Sequence, residues 1–274
     1  MRICFIAVGA SALSQVKRTL DQWQQQGASW RKKLLARLFY VGSDSFAEDE
    51  APGILVALEG QDIVLLDLMG APLSLSDRIC ERLRGEPRPR HVVVLNSSTQ
   101  NVRTLGRLGS FSAGNMGNPA GGPSPDMGRM LKMLASAQKL GELLPVGPLR
   151  DLRNYLWLGQ YWRFSNTRNI ENLLLLLGHE YGGYKDWPSP QPPETVDELC
   201  ILEPDTRQVY SNLATWRREH SIVAGKPTLG LLYSGTTYPV DSYPIAARLV
   251  ERLRASFNVI PIATNRISGR DHER

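Results

Sequence analysis

The chain has 274 residues, of which 42% are hydrophobic and 22% are charged, as in ordinary globular proteins. Its 32 basic and 27 acidic residues give a net charge of +5, and the densest basic runs are residues 82–90 (RLRGEPRPR) and 31–33. No aromatic residues interleave with these basic residues. We therefore interpret both runs as solvated faces or loops and expect no nucleic-acid partner.

Cysteine spacing and the lack of a long apolar stretch indicate a cytoplasmic protein. Cys4, Cys80 and Cys200 are far apart and form no CxxC pair, so neither a disulfide framework nor a zinc site is expected. No stretch approaches the roughly 18 to 20 apolar residues that a membrane span requires. The apolar start, residues 1–13, fits a strand and a helix better than a signal peptide, because an α/β pattern continues directly from it.

Short apolar runs alternate with helical patterns over the first hundred residues. The runs predict strands at residues 3–8, 34–41, 62–68 and 91–95. Apolar residues at three- and four-residue spacing predict helices at 11–26 and 73–83, and residues 51–58 are mixed. This alternation predicts a doubly wound parallel sheet of the α/β class. Ligands of such sheets bind beyond the carboxyl ends of the strands, here residues 9–11, 69–70 and 96–98.

A glycine- and proline-rich segment follows at residues 114–125 (GNMGNPAGGPSP). Four glycines and three prolines in twelve residues indicate a flexible connector. The alternative, a phosphate-binding loop, is weak because no Lys-Ser or Lys-Thr pair follows the glycines, so no nucleotide site is expected. A helix bearing several methionines and leucines is predicted next, at residues 127–144.

Residues 151–183 predict two consecutive helices. The polar residues 165–167 separate them and can cap the second helix. That helix carries five consecutive leucines, 173–177, and is predicted to be buried on every side and to end near Gly178. Aromatic residues of the first helix offer a stacking surface for a flat ligand, although helix packing is the favoured interpretation. They are Tyr155, Trp157, Tyr161 and Trp162.

The last part of the chain follows a proline-rich connector at residues 184–194, the predicted domain boundary. Residues 195–210 show little periodicity, and a short helix is predicted at 211–220. A βαβ unit is predicted in its strands 228–233 and 259–262 and its helix 243–254. Four segments result: an N-terminal α/β domain (1–125), a helical section (126–186), a linker with a short helix (187–226), and the start of a second, incomplete α/β domain (227–274).

Residue patterns that carry catalysis are missing from the sequence. The four histidines stand in no metal-ligand spacing, no GxSxG is present, and the carboxylates form no obvious pair. His179 closes the leucine-rich helix, where a histidine interacts favourably with the helix dipole. No catalytic residue and no metal site are therefore predicted.

Three stretches, in this order, resemble the N-terminal region of the porphyrin-binding H subunit of magnesium chelatase. They are residues 92–112 (with LGRLGSFS at 105–112), 127–181 (ending in NLLLLLGHEY) and 227–264 (PTLGLLYSGTT to NVIPIAT). The LGRLGSFS piece is closest to the magnesium enzyme, whereas the final βαβ unit is similar to the related cobaltochelatase large subunit as well. The first ninety residues match only as an α/β pattern.

The resemblance implies a role in tetrapyrrole biosynthesis, as part of a much longer subunit. That subunit holds protoporphyrin IX as substrate while Mg²⁺ is inserted, and ATP is bound by separate ATPase subunits. The implied partners are the remainder of the H subunit, these ATPase subunits and the tetrapyrrole. The bases that take the pyrrole protons belong to later parts of the family's sequence, so the isolated chain is expected to be inactive. In a photosynthetic eukaryote the expected compartment is the plastid stroma.

Three groups of residues are candidates for contact with a porphyrin, and each also has an ordinary structural interpretation. They are Ser110, Phe111 and Ser112 in a turn, Gln160, Tyr161 and Trp162 at a helix end, and Thr236 and Thr237 after a strand. Two alternatives to the magnesium enzyme stay open at this point. One is the equivalent segment of a cobaltochelatase, which acts on a corrin precursor, and the other is an interaction module without a tetrapyrrole site.

Overall fold

The computed structural model of the chain describes residues 1–27, 33–42, 50–116, 147–195, 199–206, 208–210, 212–233 and 243–264. Two units are formed. Unit 1 comprises Met1–Trp162 and Ile170–Pro192, and unit 2 comprises Arg163–Asn169 and Pro193–Arg274.

The centre of unit 1 is a six-stranded sheet in the order β2-β1-β3-β4-β5-β6. Its four parallel strands are β1 (Arg2–Ala7), β2 (Leu35–Tyr40), β3 (Ile63–Leu68) and β4 (His91–Ser97). Two short antiparallel strands, β5 (Arg107–Leu108) and β6 (Phe111–Ser112), complete one edge. The four predicted strands are confirmed. β1, β3 and β4 are largely buried, as continuously apolar parallel strands should be, whereas the residues of the edge strand β2 are exposed or half-buried.

Helices cover both faces of this sheet, which confirms the doubly wound α/β class. In chain order they are α1 (Ala10–Gln25), α2 (Ala51–Ala57), α3 (Leu73–Arg84) and α4 (Gln100–Arg103), and a 3₁₀ turn follows at Ala113–Met116. Alternate residues of β1 enter different cores. Ile3 and Phe5 pack in the core that contains α1, whereas Cys4 and Ile6 pack in the core that contains α2 and α3.

The predicted helical pair is present as α5 (Pro148–Arg163) and α6 (Thr167–Leu176). The backbone N–H of Asn169 donates to the side-chain oxygen of Asn166 at 2.8 Å, which confirms the predicted cap. All five leucines 173–177 are buried and pack in the α1 core. The helix does not end at Gly178 but continues as one π-helical turn, Leu177–Tyr181. Single π turns are rare in proteins, and many of them lie at functional sites.

Unit 2 contains a four-stranded sheet in the order β8-β7-β10-β9. The predicted βαβ unit is confirmed as β9 (Thr228–Tyr233), α8 (Tyr243–Leu253) and β10 (Asn258–Thr264), with α7 (Leu213–Glu219) before it. Two antiparallel strands extend the parallel pair, namely β7 (Leu199–Leu202) and β8 (Val209–Tyr210). They lie in the segment 195–210, where the sequence shows little periodicity, so the parallel pair does not stand alone.

Several predictions fall outside the described residues. They are the helix at 127–144, most of the connector at 114–125, the turn with Thr236 and Thr237, and residues 265–274 of the last predicted segment. None of the helices within the described ranges combines the length and apolar character that crossing a membrane requires.

All three cysteines are buried, and they form no disulfide with one another. Cys4 lies in the central strand β1 and Cys80 in α3, both in unit 1, and Cys200 lies in β7 of unit 2. Burial raises the pKa of the Cys4 thiol to about 12, so this thiol stays protonated and unreactive at neutral pH.

Candidate functional site

Four segments of unit 1 bring polar side chains together around a buried carboxylate. We call His91, Ser110, Asp151, Asn154 and Tyr181 the Asp151 cluster. His91 is the first residue of β4, Ser110 lies in the turn between β5 and β6, Asp151 and Asn154 are on α5, and Tyr181 ends the π turn. Asp151 is only 3% exposed and Asn154 is completely buried, whereas Ser110 is exposed.

Asp151 is held by several donors at once. Its Oδ2 accepts hydrogen bonds from the backbone N–H and the hydroxyl of Ser110, both at 2.7 Å, and its Oδ1 accepts one from the Tyr181 hydroxyl at 3.0 Å. Burial alone would raise the pKa of this carboxyl, but these hydrogen bonds and the charge of Arg150 outweigh burial and lower it. Asp151 is therefore ionised at neutral pH.

His91 is a neutral acceptor in the same cluster. Its Nδ1 lies 3.2 Å from the backbone N–H of Gly109, which donates to it, so the ring proton is on Nε2. Burial and the nearby charge of Arg90 lower the pKa of His91 to about 4. The ring of Tyr181 packs edge-on against the imidazole at 5.2 Å between centroids.

Tyr181 and Asn154 extend the cluster into α5. The amide nitrogen of Asn154 donates to the Tyr181 hydroxyl at 3.0 Å, and its oxygen accepts from Arg153 at 3.0 Å. Burial raises the pKa of Tyr181, so its hydroxyl remains a donor to Asp151. The cluster thus has an ionised acceptor at its centre, surrounded by donors.

This arrangement suits positioning better than proton transfer. The Asp151 carboxylate is saturated by hydrogen bonds, and the Ser110 hydroxyl donates to Asp151, not to His91. Within the described ranges, no group of three or more His, Cys, Asp or Glu residues is arranged to hold a metal ion. What the cluster does is fix the exposed turn Gly109–Ser110 to the first turn of α5.

The predicted porphyrin-contact residues are distributed over separate places. Ser110 belongs to the Asp151 cluster, Phe111 is buried with its ring 4.7 Å from that of Tyr155, and Ser112 is half-buried in β6. Gln160 is half-buried on α5, whereas Thr236 and Thr237 lie outside the described residues. A binding role for any of them stays a prediction.

The aromatic residues at the end of α5 are part of the unit 1 core. Tyr161 is fully buried and its hydroxyl donates to the carbonyl of Gln191. Trp162 stacks on Phe5 at 6.0 Å between ring centroids, and its Nε1 donates to Asp67 at 2.8 Å. These contacts agree with the helix-packing interpretation of the aromatic residues.

Asp67 was not singled out from the sequence, although it lies near the carboxyl end of β3. It is 7% exposed, and burial raises the pKa of its carboxyl despite the hydrogen bonds from Trp162 and the backbone of Met69. The available signal was an acidic residue inside the apolar run at 62–68 (DIVLLDL), because an unpaired carboxylate is rarely placed in a buried strand.

Unit 2 has a buried carboxylate of its own, Glu203, which is 2% exposed. Arg254 donates to both of its oxygens at 2.8 and 2.9 Å, and the indole of Trp216 donates to Oε1 at 2.7 Å. His220 completes the group, with Nε2 3.2 Å from the carboxylate and its ring stacked on Trp216. This group ties the residue after β7 to α7 and to the end of α8.

His91 makes the stability of unit 1 depend on pH. A base whose pKa is about 4 when folded and 6.5 when unfolded contributes its full stability above pH 6.5 and loses it as the pH falls toward 4. We expect the free energy of unfolding to fall by at most ~3 kcal/mol over this window from His91 alone. Urea unfolding at pH 7.0, 5.5 and 4.5, followed by tryptophan emission, measures the loss.

The matched variant for this measurement is His91→Asn. The asparagine oxygen can accept from Gly109 as Nδ1 does, but it does not titrate. The difference in unfolding free energy between the variant and the original chain should therefore change with pH between 6.5 and 4. A constant difference over this range would contradict the assignment of the loss to His91.

The chain is similar to a known protein family and to solved structures. Residues 159–274 match the family model CobN/Magnesium Chelatase, which is less than half of the chain. The catalytic subunit of cobaltochelatase from Mycobacterium tuberculosis is similar at 13% sequence identity with a TM-score of 0.40, a similarity too low to support an argument. The aligned region covers 96% of this chain and 16% of the cobaltochelatase subunit, so the chain spans about a sixth of the length of that subunit. No curated protein sequence matches significantly.

The family match begins near the end of α5 and includes α6, the π turn and the whole described sheet of unit 2. It does not include His91, Ser110 or Asp151. The family model names CobN and magnesium chelatase in one description, so it does not separate them. Residues 159–274 are thus similar to the CobN/magnesium chelatase family.

Proposed function

We propose that the chain is the N-terminal segment of the porphyrin-binding H subunit of magnesium chelatase. In this role it helps to bind protoporphyrin IX or to dock partner subunits, and by itself it inserts no metal. The observation that carries the proposal is the family match over residues 159–274, together with the LGRLGSFS sequence at 105–112. The turn in that sequence is the one that Asp151 holds in place.

The chemistry of the reaction explains why one segment is not sufficient. Mg²⁺ gives up its bound water reluctantly, and two pyrrole protons must leave as the metal enters the ring. The Asp151 cluster offers no free base for these protons. Its carboxylate accepts three hydrogen bonds, the Nδ1 of its neutral histidine accepts from Gly109, and its tyrosine stays protonated. We infer that proton removal and the ATP-dependent step belong to other parts of the enzyme and to its ATPase subunits.

Titration with protoporphyrin IX tests the proposal. We expect saturable quenching of the emission of the six tryptophans, and no formation of magnesium protoporphyrin when Mg²⁺ is added without other polypeptides. A hydrogenobyrinic-type ligand in a parallel titration tests the cobaltochelatase alternative. Tighter binding of that corrinoid would favour the cobalt enzyme, and unchanged emission with both ligands would favour an interaction module.

Two glutamine variants test whether the end of α5 contacts the porphyrin. Gln160 is half-buried at the end of α5, whereas Gln24 is exposed on α1. If the end of α5 contacts the porphyrin, Gln160→Ala weakens binding and Gln24→Ala does not. If both variants bind protoporphyrin IX equally well, Gln160 is not a contact residue. The titration of the original chain then decides whether the chain binds the porphyrin at all.

A further inference from the structure

Arginines from two elements meet at the start of β4. The basic run at 82–90 contains Arg88 and Arg90 on either side of Pro89. The guanidinium of Arg107, from β5, donates to the carbonyl of Pro89 at 2.8 Å. Arg107 therefore lies against the segment that carries the other two. We call Arg88, Arg90 and Arg107 the arginine patch.

The patch carries more positive charge than its surroundings neutralise. Glu86 is 3.2 Å from Arg88, and both side chains are largely exposed. Within the described ranges, Arg90 and Arg107 have no carboxylate within ion-pair distance. Burial, as the larger cause, and the charge of Arg88 lower the pKa of Arg107, whereas the charge of Glu86 raises it. One carboxylate, Glu86, therefore faces three guanidinium groups.

The two carboxylates whose charges act on His91, the residue after Arg90, have partners of their own. Asp62 accepts from the backbone N–H of Arg2 at 2.7 Å, and Asp151 is saturated in its cluster. The other arginines of the run also have contacts elsewhere: Arg82 lies 3.3 Å from Glu59, and Arg84 donates to the Asn101 carbonyl. Arg90 and Arg107 thus lie side by side with Arg88 without a carboxylate partner among the described residues.

We propose that the arginine patch is a docking surface for an acidic segment of a partner protein. Guanidinium groups match carboxylates with two parallel hydrogen bonds, and arginine is enriched at protein interfaces. Arg88 and Arg90 are exposed in the loop before β4, whereas sites for small molecules are concave and enclose most of the ligand. Single-stranded nucleic acids need aromatic stacking surfaces, and the run at 82–90 contains no aromatic residue. The proposal goes beyond the proposed function because it does not depend on a tetrapyrrole.

Fluorescence anisotropy with a labelled ten-residue polyglutamate peptide, in low-salt buffer at pH 7, tests the proposal. The double variant Arg88→Gln/Arg90→Gln removes two positive charges from exposed positions. The matched control Arg18→Gln/Arg37→Gln removes the same charge from exposed positions of α1 and β2. We expect the first pair to weaken binding at least fivefold and the control pair less than twofold.

Three outcomes would overturn the proposal: no saturable binding by the original chain, equal weakening by the two double variants, or tighter binding of a ten-nucleotide single-stranded DNA than of the peptide. Equal weakening would mean that only the net charge matters, and preference for DNA would indicate a nucleic-acid surface. Unchanged far-UV circular dichroism shows that the variants are folded. If the double variant fails this check, the single variant Arg90→Gln, compared with Arg37→Gln, decides the question in the same way.

Discussion

Replacing Gly178 by alanine is expected to destabilise unit 1 by about 3 kcal/mol. A Cβ atom at this position of the π turn would overlap ring atoms Cζ3 and Cε3 of Trp187. Trp187 is 3% exposed, is stacked on Tyr184 at 4.9 Å and packs edge-on against Trp23, so its ring cannot move aside without disturbing the core. Urea unfolding monitored by tryptophan emission measures the change.

The control for this variant is Gly159→Ala, in the middle of α5. No atom lies within 4 Å of a Cβ built at Gly159, so the alanine meets no steric obstacle. Because alanine is a better helix former than glycine, we expect stabilisation of about 0.5–1 kcal/mol. A Gly178→Ala variant within 1 kcal/mol of the original chain would show that the contact between the π turn and Trp187 is not tight in solution.

Removal of the Asp151 carboxylate is the second large effect, also about 3 kcal/mol for Asp151→Ala. The substitution leaves the Ser110 amide, the Ser110 hydroxyl and the Tyr181 hydroxyl without their acceptor, in a place where Asp151 itself is 3% exposed. Asp151→Asn keeps one acceptor oxygen, so we expect about half the loss. Urea unfolding at pH 7 measures both variants.

An exposed aspartate supplies the control for Asp151. Asp21 pairs with Lys17 at 2.7 Å on the surface of α1, where such a pair contributes less than about 0.5 kcal/mol. Asp21→Ala should therefore unfold at nearly the same urea concentration as the original chain. If Asp151→Ala were equally mild, the turn Gly109–Ser110 would be held by other contacts and the positioning role of the cluster would be wrong.

Buried elements of this fold were the easiest to predict. A parallel strand covered on both faces must be continuously apolar, and β1, β3 and β4 accordingly appear as apolar runs within a few residues of their true bounds. The same reasoning predicted the burial of leucines 173–177. Where a segment contacts the core on all sides, composition alone is informative.

Elements that depend on partners distant in sequence were missed. β7 has only four residues and ends directly before Glu203, whose charge interrupts the apolar pattern of the sequence. The fold tolerates this buried charge because Arg254 and Trp216 donate hydrogen bonds to it. The π turn was missed as well, since it is a change in backbone hydrogen bonding that side-chain periodicity does not encode. In both cases the deciding interaction is tertiary.

The candidate site was harder to predict from the sequence than the secondary structure was. His91, Asp151 and Tyr181 are ordinary residues at the ends of elements, and only the folded chain brings them together. Ser110 was singled out as a porphyrin contact, and its observed contact is the Asp151 carboxylate. The packing interpretation of Tyr161 and Trp162 agrees with their burial, because long aromatic helix faces are usually core.

The three buried cysteines allow the opening of each unit to be timed separately. A thiol reacts with an alkylating reagent only as the thiolate and only when the reagent reaches it. Cys4 and Cys80 are therefore protected until unit 1 opens, and Cys200 until unit 2 opens. Pulsed alkylation followed by peptide mass spectrometry would give two opening rates from one unmodified chain. Two different rates would mean that the two units open independently of each other.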